Sequence, residues 1–159
     1  MNMRTFETLA DLIACVGREI CVSNWLTITQ QRIDRFAEAT EDHQWIHVDA
    51  GRAANGPFGC TIAHGFLTLS LIAGFSRRTL HVKDVEMGIN YGLNKVRFTA
   101  PVPVGSRLRM HMGLLAASPV NGGQQLTWHN VIEREGHDKP VCVAESLARY
   151  YISGGGKGT

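Results

Sequence analysis

The sequence predicts an α+β fold: one apolar helix near the middle of the chain, wrapped by a curved antiparallel sheet that comes mainly from the second half. Three observations predict it. Residues 64–75 are apolar almost all round, the mark of a helix placed inside a protein. Leu108, Met110, Met112 and Leu114 alternate with Arg107, Arg109, His111 and Gly113, as in a strand with one buried face. Asn121-Gly122-Gly123 then turns the chain into a second alternating stretch, Leu126, Trp128, Asn130 and Ile132. A helix without a polar face and strands with one apolar face cover each other's exposed surface.

The elements follow in order. Residues 6–15 predict a first helix with Phe6, Leu9, Ala10 and Ile13 on one side. Residues 18–28 mix Ile20, Val22, Trp25 and Ile28 and read as extended. Thr29 can cap a helix that runs to about Ala39, with Ile33, Phe36 and Ala37 inward. Asp49 can cap a short helical turn through Ala54, and Gly56-Pro57-Phe58-Gly59 breaks the chain before the apolar helix. Residues 87–99 read as a strand leading to Pro101 and Pro103. Gly136-His137-Asp138-Lys139-Pro140 makes a turn, and residues 141–152 form the last strand.

A chain of 159 residues is one domain on length, here residues 1–152, and needs no disulfide or metal to fold. Residues 153–159, Gly-rich, read as a flexible tail. A formal charge of +2 with scattered Lys and Arg does not point to nucleic acid. Cys15, Cys21, Cys60 and Cys142 form no C-x-x-C pair and lie in apolar surroundings, so they read as buried free thiols of a reducing cytoplasm. No apolar stretch reaches the ~20 residues of a membrane span. Glu7 and Asp11 interrupt the N-terminal stretch, which argues against a signal peptide.

The chemistry centres on Asp42 and His47. One is a carboxylate, and the other is the side chain whose midpoint lies nearest neutral pH. Together they can take and deliver one proton each. On a continuous helix a spacing of five would point them about 140° apart. They converge only if the helix stops near Asp42, and Thr40-Glu41-Asp42-His43 allows such a stop. From spacing alone, Asp42 as a turn cap and His47 as a surface residue stay open. Gly65 adds a main-chain amide in the first turn of the apolar helix, where amides lack intrahelical partners and the dipole is positive. Such an amide can stabilise a thioester oxygen as it becomes enolate-like; close packing of helix on sheet is the other account of Gly65.

Other chemistries are weaker. His43 and His47 stand four apart, but Gln44 occupies the place where a zinc protease needs Glu. Adding His64 gives three imidazoles at no recognised metal spacing, so no metal is expected. Ser70 sits mid-helix without a nucleophile motif, and no phosphate-binding glycine loop is present.

The run Phe36-Ala37-Glu38-Ala39-Thr40-Glu41-Asp42-His43-Gln44-Trp45-Ile46-His47, with Ile62-Ala63-His64-Gly65-Phe66-Leu67, resembles the MaoC-like dehydratases. That family includes the (R)-specific enoyl-CoA hydratases and the nodulation protein N group. Asn90-Tyr91-Gly92-Leu93-Asn94-Lys95-Val96-Arg97-Phe98, Pro101-Val102-Pro103-Val104-Gly105 and Cys142-Val143-Ala144-Glu145-Ser146 extend the likeness over residues 15–152.

The resemblance implies a hot-dog fold, a homodimer and reversible hydration of a trans-2-enoyl thioester to an (R)-3-hydroxyacyl thioester. It implies no cofactor beyond the coenzyme A or acyl-carrier thioester that is the substrate. Asp42 and His47 match the family's catalytic pair, and Gly65 its oxyanion-binding amide. There are two departures. Gln44-Trp45 stands where many members carry Asn-Pro, which points to the nodulation-type branch. Ala73 stands where some members use a Ser, eight residues after the Gly.

Trp45, Phe66 and Leu69 are candidates to line an acyl groove, with core packing as the other account of each. Lys95 and Arg97 alternate on one strand face and can meet the nucleotide phosphates of coenzyme A; a solvent-facing strand explains them equally. A thioesterase on the same fold, or a non-catalytic thioester-binding subunit, are the rival functions, and fold alone does not choose among them.

Overall fold

The computed structural model describes residues 3–152. The Gly-rich tail expected over 153–159 lies outside the described residues. The chain begins with a strand, β1 (Arg4–Phe6), and a short helix, α1 (Leu9–Ile13). Here the expected helix over 6–15 is corrected. Thr8 is the N-cap, locked to Asp11 in a reciprocal capping box, so the helix cannot begin at Phe6. That phase buries Leu9 and Leu12 and leaves Ala10 exposed.

Next come β2 (Arg18–Val22), β3 (Leu26–Thr27) and α2 (Gln30–Thr40). The Thr29 hydroxyl accepts from the Arg32 amide, and Ile33 and Ala37 turn inward. Two short helices, α3 (Trp45–Val48) and α4 (Ala50–Ala54), follow. Asp49 caps α4 by accepting from the Arg52 amide at 2.9 Å.

The apolar helix, α5, is Gly65–Thr79, ending four residues later than expected. It is not buried all round. Leu67, Leu71 and Phe75 enter the core, while Phe66, Ser70, Ala73 and Arg77 form an exposed stripe along its opposite side. The sheet covers one side of the rod only, and the 3.6-residue turn puts those four residues on the other.

The strands β4 (Leu80–Val82), β5 (Val85–Phe98), β6 (Arg107–Val120), β7 (Gly123–Arg134) and β8 (Cys142–Ile152) complete the chain. The main sheet has the order β2-β6-β7-β8-β5, with β3 also on β6, and all its pairs are antiparallel. β1 and β4 form a separate parallel pair. Gly122, at φ +74°, takes the left-handed conformation that the β6–β7 turn needs. Leu108, Met110, Met112 and Leu114 from β6, and Leu126, Trp128 and Ile132 from β7, form the concave wall against α5. All four cysteines are free, but only Cys142 is buried; Cys15, Cys21 and Cys60 are half-exposed, which corrects the expectation of four buried thiols. Burial pushes the Cys142 thiol up to about 11.

Candidate active site

α2 stops at Glu41, whose φ of +59° lies in the left-handed region. A short link then leads into α3, which turns His47 inward until it is buried. The break removes the 140° divergence of a continuous helix and lets Asp42 and His47 share one corner of the protein. The Gln44 amide donates to Asp42 Oδ1 at 3.4 Å.

His47 is braced on two sides. Its Nδ1 lies 2.7 Å from the Ile62 carbonyl. A carbonyl only accepts, so Nδ1 carries the hydrogen and Nε2 is left with a free lone pair. The main-chain carbonyl of His47 accepts from Gln30 Nε2 at 2.8 Å, and Gln30 Oε1 accepts from Thr61 at 2.5 Å. The Ile62 amide donates to Ile46 at 3.0 Å. These bonds tie the start of α2, α3 and the segment before α5 into one unit. Burial holds the His47 imidazole below its ordinary range, opposed by the Ile62 bond; His64 lowers it further and Asp42 raises it.

His64 is the N-cap residue of α5 and is buried. Its ring stacks on His47 with centroids 3.7 Å apart and planes 27° from parallel. Its Nε2 donates to the main-chain carbonyl of Asp42 at 2.9 Å, and its Nδ1 is buried without a partner. Asp42, His47 and His64 each bring one oxygen or nitrogen within 4.8 Å of the others. That cluster has the donor types of a cation site. His47 Nδ1 and His64 Nε2 are already engaged with main-chain carbonyls, which leaves His47 Nε2 and His64 Nδ1 as the ring nitrogens without a protein partner among the described residues.

Gly65 is the first residue of α5. The first of the main-chain bonds across the start of this helix runs from Thr68 to His64 at 3.1 Å, so the Gly65 amide precedes the ladder. A Cβ at Gly65 would stand 2.9 Å from the Phe98 ring, closer than carbon atoms pack. A cavity of about 410 Å³ opens here, lined by His47, Gly65, Thr68, Phe98, Pro101 and Val102 among others. The recess thus combines a proton-accepting imidazole, a main-chain donor and apolar walls, and the exposed Asp42 carboxylate lies outside its lining, within 4.8 Å of His47.

A MaoC-like domain model matches residues 12–134, well over half of the chain. The chain belongs to the MaoC-like domain family. It is 56% identical over 149 residues to the 3-hydroxyacyl-thioester dehydratase Z of Mycobacterium tuberculosis, covering 93% of this chain and 99% of that one. It is 43% identical over 141 residues to the nodulation protein N of Rhizobium leguminosarum bv. viciae, covering 86% and 87%. Among solved structures, the unliganded R-hydratase PhaJ1 from Pseudomonas aeruginosa superposes with a TM-score of 0.72 at 26% identity, covering 86% of this chain and 82% of that chain. The architecture is therefore the hot-dog fold expected of the family.

The remaining candidates of this MaoC-like chain lie further out. Trp45 does not line the cavity: the Arg52 guanidinium stacks on it at 4.4 Å and Gly56 packs beneath it, because α4 folds back over α3. Phe66 is 69% exposed and meets Phe98 edge-on at 5.9 Å. Lys95 and Arg97 are exposed on β5, outside the cavity wall, and Arg97 Nη1 donates to the Val96 carbonyl at 2.7 Å. Leu69 packs against the core. His43 points to solvent near Glu38, 3.9 Å away, and takes no part in the cluster. Sequence reasoning weighed His64 only as a metal ligand. Its place directly before Gly65, at the cap of the apolar helix, was the signal that it belongs to the site.

Proposed function

We propose that this chain adds water reversibly to a trans-2-enoyl thioester to give an (R)-3-hydroxyacyl thioester. The observation that carries this reading is that the exposed Asp42 brings a carboxylate oxygen within 4.8 Å of a ring nitrogen of the buried His47, which lines one cavity with Gly65. The activity in the name of the 56% identical relative supports it.

The hydrogen bond from His47 Nδ1 to the Ile62 carbonyl supports the following order of steps. The thioester oxygen accepts from the Gly65 amide. Asp42 and His47 hold one water between them. Nε2 of His47 takes a proton from that water as its oxygen bonds to C3, and the electron pair of the double bond moves through C2 towards the thioester oxygen. The imidazolium then returns the proton to C2, which restores the neutral ring. Asp42 accepts a hydrogen bond from the second hydrogen, which stays on the oxygen as the 3-hydroxyl, and stabilises the imidazolium. No cofactor enters the balance.

Phe66 and Phe98 stand at the cavity mouth and suit the thioester arm; Lys95 and Arg97 supply two exposed cations for phosphates of coenzyme A or an acyl carrier. We place the protein in the cytoplasm, where its free thiols stay reduced. We assign it a homodimer, because β5 ends the sheet with an unpaired edge that exposes Met87, Ile89, Tyr91 and Leu93.

The test offers purified protein crotonyl-CoA and longer trans-2-enoyl-CoAs, follows loss of the enoyl absorbance and free thiol in parallel, and determines product chirality. Hydration to the (R) product without thiol release is expected. Asp42→Asn should lose on the order of 10²–10³-fold in rate, because the imidazolium loses its charge partner. Thiol release without hydration would replace this reading with thioester hydrolysis.

A further inference from the structure

A second cavity, about 480 Å³, lies along the far half of α5. Its rim is exposed and charged, with Arg77 of α5, His81 of β4 and Glu86 of β5. Its inner wall is the concave face of the sheet, including Trp128 and Asn130 of β7. Asn130 is 0% exposed and Trp128 2%.

Four buried side-chain polar atoms lack a partner among the described residues, and two of them, Asn130 Oδ1 and Trp128 Nε1, belong to this wall. The amide nitrogen of Asn130 is already used, donating to Ser146 Oγ at 2.9 Å. The wall therefore holds one free acceptor and one free donor, two residues apart on the same face of one strand. A buried polar group left unpaired costs stability, so such groups nearly always have a partner. The flanking inward positions on β7 are Leu126 and Ile132, both buried and apolar. A recess made for hydrocarbon alone has no use for an amide between them. A hydroxyl has both capacities: it can donate to an amide oxygen and accept from an indole N–H.

The two cavities share a helix. Gly65 and Thr68 line the first; Ile72 and Ser76 line the second. At a rise of 1.5 Å per residue, Gly65 and Ser76 stand roughly 16 Å apart along the axis, within reach of a medium-length acyl chain.

We infer that the acyl group handled by this chain carries a hydroxyl far from the thioester, and that Asn130 and Trp128 read it. The inference rests on the hydratase reading above for the placement of the thioester at Gly65. Titration calorimetry with saturated acyl-CoAs, which contain no double bond to hydrate, tests it without depending on turnover. Pairs of equal length, with and without a terminal hydroxyl, are compared across short, medium and long chains. At one narrow range of lengths the hydroxyl is expected to tighten binding about tenfold or more, since a site built to hydrogen-bond a hydroxyl discriminates against the analogue without it. Asn130→Leu and Trp128→Phe should each reduce that ratio sharply, towards one. The ratio is taken within each protein, so a general loss of stability cancels.

If the hydroxyl tightens binding at no length, or if both variants keep the ratio, the inference is wrong and water satisfies the two atoms. Crotonyl-CoA is too short to reach the second cavity. Its hydration by the unaltered protein reports on the first site alone, so the two readings fail separately.

Discussion

The His64 ring lies 3.7 Å from the His47 ring, and its Nε2 donates to the main-chain carbonyl of Asp42. One side chain thus touches both members of the proposed proton-transfer pair. As N-cap of α5 it also fixes where that pair stands relative to the Gly65 amide. His64 is in this sense a positioning residue.

His64→Phe keeps an aromatic face against His47 and removes the N–H that holds Asp42. Hydration should fall about tenfold in kcat with a smaller change in KM, because the reacting groups lose alignment while the recess stays. The acid limb of the pH–rate profile should also move up, since His64 helps to hold His47 low. A purely structural role for His64 would lower the yield of folded protein and leave that limb in place.

Burial keeps the His47 pKa below its unfolded value. As pH falls through about 6.5, the unfolded chain binds a proton that the folded chain does not, so stability declines there until the folded pKa is reached. Above that range this group adds no pH dependence. Thermal unfolding of the parent protein and His47→Gln, from pH 7.5 down to 5, should show a steeper loss in the parent. Parallel curves would mean that the ring is not held neutral by its surroundings.

Much of this was legible in the sequence because it was local. Thr29 and Asp49 cap helices with their own neighbours, Asn121-Gly122 makes its own turn, and Thr40-Glu41-Asp42-His43 breaks its own helix. What escaped was long-range. Gln30 reaches Thr61 across 31 residues, and Phe98 lies over Gly65 from another strand. β1 pairs with β4 across most of the first half of the chain, which no periodicity reports. The exposed stripe on α5 escaped for a related reason: apolar composition says that a helix can be buried, whereas the sheet decides which side is.

Gly65 has two reasons to be glycine. An added Cβ would press into the Phe98 ring at 2.9 Å, and it would narrow the approach to the amide. Gly65→Ala should therefore lose on the order of 10²-fold in hydration, comparable to removal of an oxyanion donor. Pairing it with Phe98→Leu relieves the clash with the ring. If the double variant regains folding stability but not rate, access to the amide is the larger effect. Full recovery of rate would make the Phe98 contact the whole explanation.

β5 carries 14 residues, pairs among the described residues with β8 alone, and exposes Met87, Ile89, Tyr91 and Leu93; a bulge at Asn90–Gly92 sets Leu93 on the opposite face from Met87 and Ile89. An unpaired edge of that length, apolar on both faces, invites a second strand. A twofold copy satisfies it with the same residues on both sides. Sedimentation should accordingly give twice the 17.5 kDa chain mass. Leu93→Lys places a charge on that edge and should shift the equilibrium towards the single chain, more so at low salt, where the lysines of the two copies repel most strongly. A parent protein that sediments as one chain at every concentration would instead leave β5 for a different partner.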